Sequence, residues 1–131
     1  KNFRNDFLYS NSDEILDLNI KKVVQTFRKE KIDILQLFFK DNLGKKLNKK
    51  IVINKMKFDN KKKYTEAGLK IFKKNIFRNI KKNNYRSIED YIENNETVLN
   101  VKYLIIDKRP YSIDTWQRLR RTKLFLKKTK F

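Results

Sequence analysis

The side chains able to do chemistry in this chain are cations and aromatics. Toward the C-terminal end the sequence runs Arg109-Pro110-Tyr111-Ser112, then Trp116, then Arg118, Arg120, Arg121 and Lys123. A guanidinium meets a phosphate with two parallel hydrogen bonds. The proline directly after Arg109 fixes the backbone there. Ser112 supplies a hydroxyl, and Tyr111 and Trp116 supply rings that stack on splayed bases or pack beneath a loop. A second basic stretch, Lys73, Lys74, Arg78, Lys81 and Lys82, and the separate Lys55 complete the candidate phosphate contacts. Arg109 has a competing use, an ion pair with Glu93 or Asp107. If Arg118 to Lys123 form a strand, alternate residues face opposite ways and only one face touches a given surface.

The same inventory argues against catalysis. Histidine and cysteine are both absent. That removes imidazole acid–base chemistry, thiol nucleophiles, disulfides and the usual zinc ligands. Carboxylates do occur in pairs, Glu89 with Asp90 and Glu93 with Glu96, but in a polar stretch without a partnered base. Gly44 and Gly68 are the two glycines, too few for a phosphate-cradling loop. The expectation is a non-enzyme with no cofactor, no metal and no small-molecule substrate.

Charge points to the partner. Lys and Arg number 34 against 15 Asp and Glu, a net of +19. Self-repulsion on that scale disfavours a compact free state. A polyanion relieves it, and nucleic acid gains further from counterion release. No apolar run approaches the roughly 18 to 20 residues that span a bilayer, and no secretory signal is evident. The 131 residues suggest one domain with an extension. The bias to Lys, Asn, Ile and Phe suits an AT-rich genome, as in an organelle or a parasite.

Residues 1–12 read as an extended arm. Ser10 and Ser12 are candidate N-caps before Asp13 and Glu14. Ile15, Leu18, Val23, Val24, Phe27, Ile32, Leu35, Phe38 and Phe39 recur at near-helical spacing, so 13–43 reads as one broken helix or two short ones, stopped by Gly44. Ile51-Val52-Ile53 predicts a strand. Residues 61–82 are ambiguous: Leu69, Phe72, Ile76 and Ile80 fit a helix, whereas Ala67, Leu69 and Ile71 alternate as in a strand. Thr97 to Asp107 is rich in β-formers and is expected to be the best-buried strand, ending before Pro110. Arg118 to Phe131 reads as a last strand and a basic tail.

Four pieces resemble one family. Glu93-Asn94-Asn95-Glu96 leads, thirteen positions after Glu96, to Arg109-Pro110-Tyr111-Ser112 and then to Arg118-Leu119. Upstream, in the same order, stands Ile51-Val52-Ile53-Asn54-Lys55-Met56. The set resembles ribosomal small-subunit protein seventeen of bacterial and organellar ribosomes. The resemblance implies a mainly β fold, a five-stranded OB-fold-like barrel over 48–131, with a largely helical N-terminal extension over 1–47. It implies a long β-hairpin over 61–82 and a turn at Glu93–Glu96. The implied function is to bind and stabilise small-subunit ribosomal RNA beside neighbouring ribosomal proteins, without a membrane, in the mitochondrial matrix. The chain departs from the family at Asn100, Val101, Tyr111 and Trp116; Asn100 is a reasonable stand-in for glycine in a left-handed turn. Two alternatives stay open: a basic accessory subunit of another organellar assembly such as a respiratory complex, and a general single-stranded nucleic-acid-binding OB protein.

Overall fold

Ile34-Leu35-Gln36-Leu37-Phe38-Phe39 is continuously buried. A strand covered on both faces reads as such an unbroken run. In the computed structural model, which describes residues 5–11, 14–76, 87–112 and 116–129, this run begins the central strand. The elements are β1 (Phe7–Ser10), β2 (Glu14–Ile15), α1 (Ile20–Lys29), β3 (Ile34–Lys45), β4 (Tyr64–Phe72), α2 (Ile88–Asn95), β5 (Val101–Ile105), β6 (Tyr111–Ser112) and α3 (Trp116–Lys128).

Four strands form an open sheet in the order β1-β4-β3-β5, and β2 pairs with β6 in a separate two-stranded ribbon. β4 is antiparallel to both β1 and β3, whereas β5 runs parallel to β3, pairing Ile34 with Val101 through Phe38 with Ile105. A helix covers each face. Val23 and Phe27, one turn apart on α1, pack on Leu35, Leu37, Phe39, Ala67, Leu69 and Ile71. Tyr91 and Ile92 of α2 pack on Ile34, Phe38, Tyr64, Phe72, Val101, Tyr103 and Ile105.

Local chemistry sets the ends. The Asn19 side chain accepts from the Lys22 N–H to cap α1, and Arg28 and Lys29 suit its negative end. Ser87 caps α2 by accepting from Asp90 N–H, with Glu89 and Asp90 in the first turn. Lys31, at φ 51°, turns the chain from α1 toward β3. Asn100 holds that turn: its backbone N–H donates to Asp33 Oδ2 at 2.8 Å and its side-chain amide to the Lys31 carbonyl at 3.0 Å.

These facts correct several expectations. Among the described residues there is no closed OB-like barrel; the sheet is open and mixed, because β5 joins β3 in parallel and both faces carry helices. Residues 13–43 do not form a helical unit. α1 accounts for ten of them, and the apolar stripe from Ile34 onward is β3. Strands from both sides of residue 47 share one sheet. Ile51-Val52-Ile53 is not a ladder strand: 3-10 turns at Lys49–Ile51 and Lys55–Lys57 flank it, and Val52 makes a single bridge to Tyr103. Over Tyr64–Phe72 the helical reading gives way to β4, which follows the Ala67, Leu69, Ile71 alternation and pairs with β1 and β3; the far part of the hairpin expected over 61–82 lies outside the described residues. Glu93-Asn94-Asn95 lies in helix α2, not in a turn. Residues 118–128 are helix α3, not a last strand. Ile34–Phe39 is buried more continuously than β5. Gly44 stops no helix; it sits in β3, where a Cβ would meet Tyr64 O at 2.1 Å. Asn100 is not left-handed, because Lys31 is the non-glycine residue with positive φ among those described.

Candidate functional site

β4 carries an unusual row of side chains. Ala67, Leu69 and Ile71 enter the α1-side core, while Tyr64 and Phe72 enter the α2-side core. Between Tyr64 and Phe72, on the alternate positions, stand Glu66, Gly68 and Lys70. Lys70 is 2% exposed. A buried ammonium needs partners, and it has them: Glu66 two positions before Gly68, Glu89 from the first turn of α2 at 3.2 Å, and the Tyr9 ring of β1 with its centroid 5.3 Å away. Burial pulls the Lys70 pKa down, but the two carboxylates outweigh it, and the net shift is upward. The Glu89 carboxyl is lowered, first by its own backbone N–H and then by Lys70.

Gly68, at φ +73°, is where the chain before α1 comes closest to this row. A Cβ there would lie 2.5 Å from both Asn11 Nδ2 and Glu14 Oε2. The Asn11 N–H donates to the Gly68 carbonyl at 2.9 Å, and Glu14 pairs with Ser112 in the β2–β6 ribbon. The middle of β4 thus gathers the carboxylates of Glu14, Glu66 and Glu89, the Asn11 amide and one ammonium. Carboxylates accept from hydroxyl groups, and an amide both accepts and donates. Among the described residues no group of acids is placed to hold a metal ion.

A cationic site forms near Phe39. Asp41 on β3 accepts from the Leu43 N–H at 3.1 Å and the Thr65 hydroxyl at 2.9 Å. Those two bonds, then the charges of Arg109 and Arg118, hold its carboxyl below the usual range against some desolvation. The Arg109 guanidinium lies 5.5 Å from the Phe39 ring centroid. Arg121 Nη2 donates to the Pro110 carbonyl at 3.0 Å, and its guanidinium lies 4.9 Å from the Tyr111 ring. Tyr111 stacks on Phe125 at 4.3 Å, docking α3 on β6. Arg109, Gln117, Arg118 and Arg121 line a concavity of about 270 Å³. A roomier cavity of about 410 Å³ lies between α1 and β5, floored by Leu18, Val23, Leu104 and Ile106 and rimmed by the Lys108–Asp17 and Lys57–Asp107 pairs.

Of the residues singled out in the sequence, the fold brings together Arg109, Arg118 and Arg121. Arg120 and Lys123 are exposed on the same helix but do not line the concavity. Ser112 is buried, and its carbonyl accepts from the Thr122 hydroxyl at 2.9 Å, so it is no surface contact. Trp116 is 78% exposed. Lys55 lies on an exposed 3-10 turn, Lys73 reaches Asp33 at 3.9 Å, and the Lys74 N–H donates to Asp6. Arg78, Lys81 and Lys82 lie outside the described residues. Arg109 forms no ion pair with Glu93 or Asp107; Asp107 pairs with Lys57 at 2.9 Å. Gln117, Asp41 and the Gly68 cluster were missed. Gly68 itself was a signal, as a lone glycine inside an alternating run marks a close approach.

No protein-family model matches the chain, and no curated protein is similar to it in sequence. Its fold is similar to that of a Bacillus anthracis protein assigned as a glucose-1-phosphate thymidylyltransferase, crystallised in complex with sucrose, with a TM-score of 0.72 at 18% identity. The match covers 97% of this chain and 56% of that one, so the chain spans little more than half the length of the protein it resembles. At that identity the likeness is one of fold. It replaces the ribosomal resemblance drawn from Glu93–Glu96 and Arg109–Ser112, and with it the ribosomal, mitochondrial and RNA-binding assignments: Glu93–Asn95 lie in helix α2 and Tyr111–Ser112 in β6 of an open α/β fold shared with that protein. The fold is shared with a protein assigned as an enzyme.

Proposed function

We propose that this chain binds a phosphorylated sugar or a nucleotide sugar, as a part of a nucleotidyltransferase-type protein. The observation that carries the reading is the extent of the likeness in fold, which runs through 97% of the chain. The polar row of β4 supports it. Carboxylates on a fixed sheet, beside an amide and a buried ammonium, are the groups that sort sugars by their hydroxyls. The activity such binding serves is nucleotidyl transfer. A sugar-phosphate oxygen attacks the α-phosphorus of a nucleoside triphosphate, a P–O bond forms, the bond to the β-phosphate breaks, and pyrophosphate leaves.

The test is calorimetric titration of the chain with glucose 1-phosphate and with dTDP-glucose. Saturable heat is expected with at least one of them. Glu14→Gln should weaken that binding by about tenfold, the scale of one hydrogen bond to a charged group. Absence of heat and of any thermal shift with both ligands at millimolar concentration would sink the proposal.

A further inference from the structure

We infer that the concavity between Arg109 and the first turns of α3 is a seat for a phosphoryl group, taking a compact oxyanion such as phosphate or the diphosphate of a larger ligand. The inference goes beyond the sugar reading and does not depend on it, because the site needs no hydroxylated ligand.

Three features of the site bear on this. The first is convergence. Arg109 comes from the segment between β5 and β6, while Arg118 and Arg121 stand three residues apart on α3 and so share a face of the helix. With Gln117 they surround one space of about 270 Å³. That space is small, and its walls are fork-shaped donors, which match an oxyanion in pairs of parallel hydrogen bonds.

The second is preorganisation. Arg121 is fixed at two points, by the Pro110 carbonyl and the Tyr111 ring, and Arg109 is laid against Phe39. A guanidinium carries five N–H donors. One bond to Pro110 leaves Arg121 with most of them for a ligand. Side chains already held in place lose little freedom on binding.

The third is charge. Asp41 is a carboxylate whose ionisation Arg109 and Arg118 favour. Asp41 is itself held by Leu43 and Thr65. The residues that line the concavity, Arg109, Gln117, Arg118 and Arg121, include no acid, as a seat for an oxyanion requires. The acidic row of β4 has the opposite balance. A long polyanion such as RNA would spread along α3 and use Arg120 and Lys123 as well, yet neither lines the concavity.

The experiment titrates the full chain with sodium pyrophosphate, read by calorimetry and by the fluorescence of Trp116, the single tryptophan and the neighbour of Gln117. Two double variants remove the same charge from different places: Arg109→Gln with Arg118→Gln inside the concavity, and Arg120→Gln with Lys123→Gln outside it. Pyrophosphate affinity should fall at least about tenfold in the first and less than about twofold in the second, since directed charge-assisted bonds outweigh a diffuse field. If the first variant fails to fold, Arg109→Lys with Arg118→Lys keeps the charge and loses the fork, and an intermediate loss is expected. Equal losses in the inner and outer pairs would overturn the inference. So would an unliganded wild type at millimolar pyrophosphate, or a single-stranded RNA oligonucleotide whose binding both pairs weaken alike. Pyrophosphate carries no sugar, so failure of the sugar reading leaves this result untouched.

Discussion

Asn54 gives both polar ends of its side chain to the backbone of Ile105. Its Nδ2 donates to the Ile105 carbonyl at 2.7 Å, and the Ile105 N–H donates to its Oδ1 at 2.9 Å. One amide thereby imitates a rung of a β-ladder. With the Ile53 N–H on the Tyr103 carbonyl at 2.9 Å, it closes the outer edge of β5, which would otherwise present unpaired backbone groups. Asn54→Ala should cost about 2 kcal/mol, because two part-buried backbone groups lose their partner. Asn54→Asp keeps the acceptor, loses the donor and should fall between. Urea denaturation measures both; a wild-type midpoint for Asn54→Ala would show that water replaces the side chain without loss.

Asn54 also shows where local pattern stops being informative. Ile51-Val52-Ile53 alternates and predicts a strand, but the ladder position beside β5 is filled by one bridge and one side chain. β5 was legible because a run of β-formers ends before Pro110. β4 was half legible through Ala67, Leu69 and Ile71. α2 carried a readable start, Ser87 with Asp90 three positions on, which the acid-rich stretch around it obscured. α3 was readable too: Leu119, Thr122, Phe125 and Leu126 keep helical spacing, although cations between them suggest alternation. The parallel pairing of β3 with β5 joins residues far apart in the chain, and no local signal carries it. For the same reason the cations Arg109, Arg118 and Arg121 could be named in advance, while their meeting around Gln117 could not.

The two glycines should differ in what they tolerate. At Gly68 a Cβ meets the mobile ends of Asn11 and Glu14, which can move aside, so Gly68→Ala should cost about 1 to 2 kcal/mol, mainly from the positive φ. At Gly44 the Cβ meets Tyr64 O at 2.1 Å, and backbone cannot step away without opening the end of the β3–β4 pairing. Gly44→Ala should therefore be the more destabilising of the two by thermal or chemical unfolding. The reverse order would mean that the end of β3 splays at little cost.

Lys70 sets an alkaline limit on stability. Its pKa is raised in the folded chain above the usual 10.5, so its contribution is fully present below that value and is lost as pH rises through the folded value. Tyr103 titrates in the same direction, because burial and then the Glu96 carboxylate push its phenol upward. Glu89 works at the other end: its pKa is lowered from 4.5, and its contribution is lost as pH falls below that. Stability should be flat between these limits and fall outside them. Lys70→Met should cost about 3 kcal/mol at neutral pH by leaving Glu66 without its buried partner. It should also flatten the alkaline limb, with Tyr103→Phe removing more of what remains. An unchanged alkaline limb in the Lys70 variant would assign that limb to other groups.

Thr122 is central to the docking of α3 on β6. Its buried hydroxyl lies 2.9 Å from both the Ser112 and the Arg118 carbonyls. One hydroxyl proton serves two acceptors there, and the shared bond ties the helix to β6 beside the Tyr111–Phe125 stack. Thr122→Val keeps the shape and removes the donor. The expected cost is about 1 kcal/mol, since one buried carbonyl loses its partner. The more telling readout is local. Amide hydrogen exchange along α3 should quicken, while exchange in β3, buried on both faces, should follow only the small global loss. Because Arg118 and Arg121 ride on α3, pyrophosphate affinity should weaken in the same variant although no lining residue has changed. Faster exchange in α3 with full affinity would mean that the arginines keep their places without the Thr122 tie, and that Arg121 is held by Pro110 and Tyr111 alone.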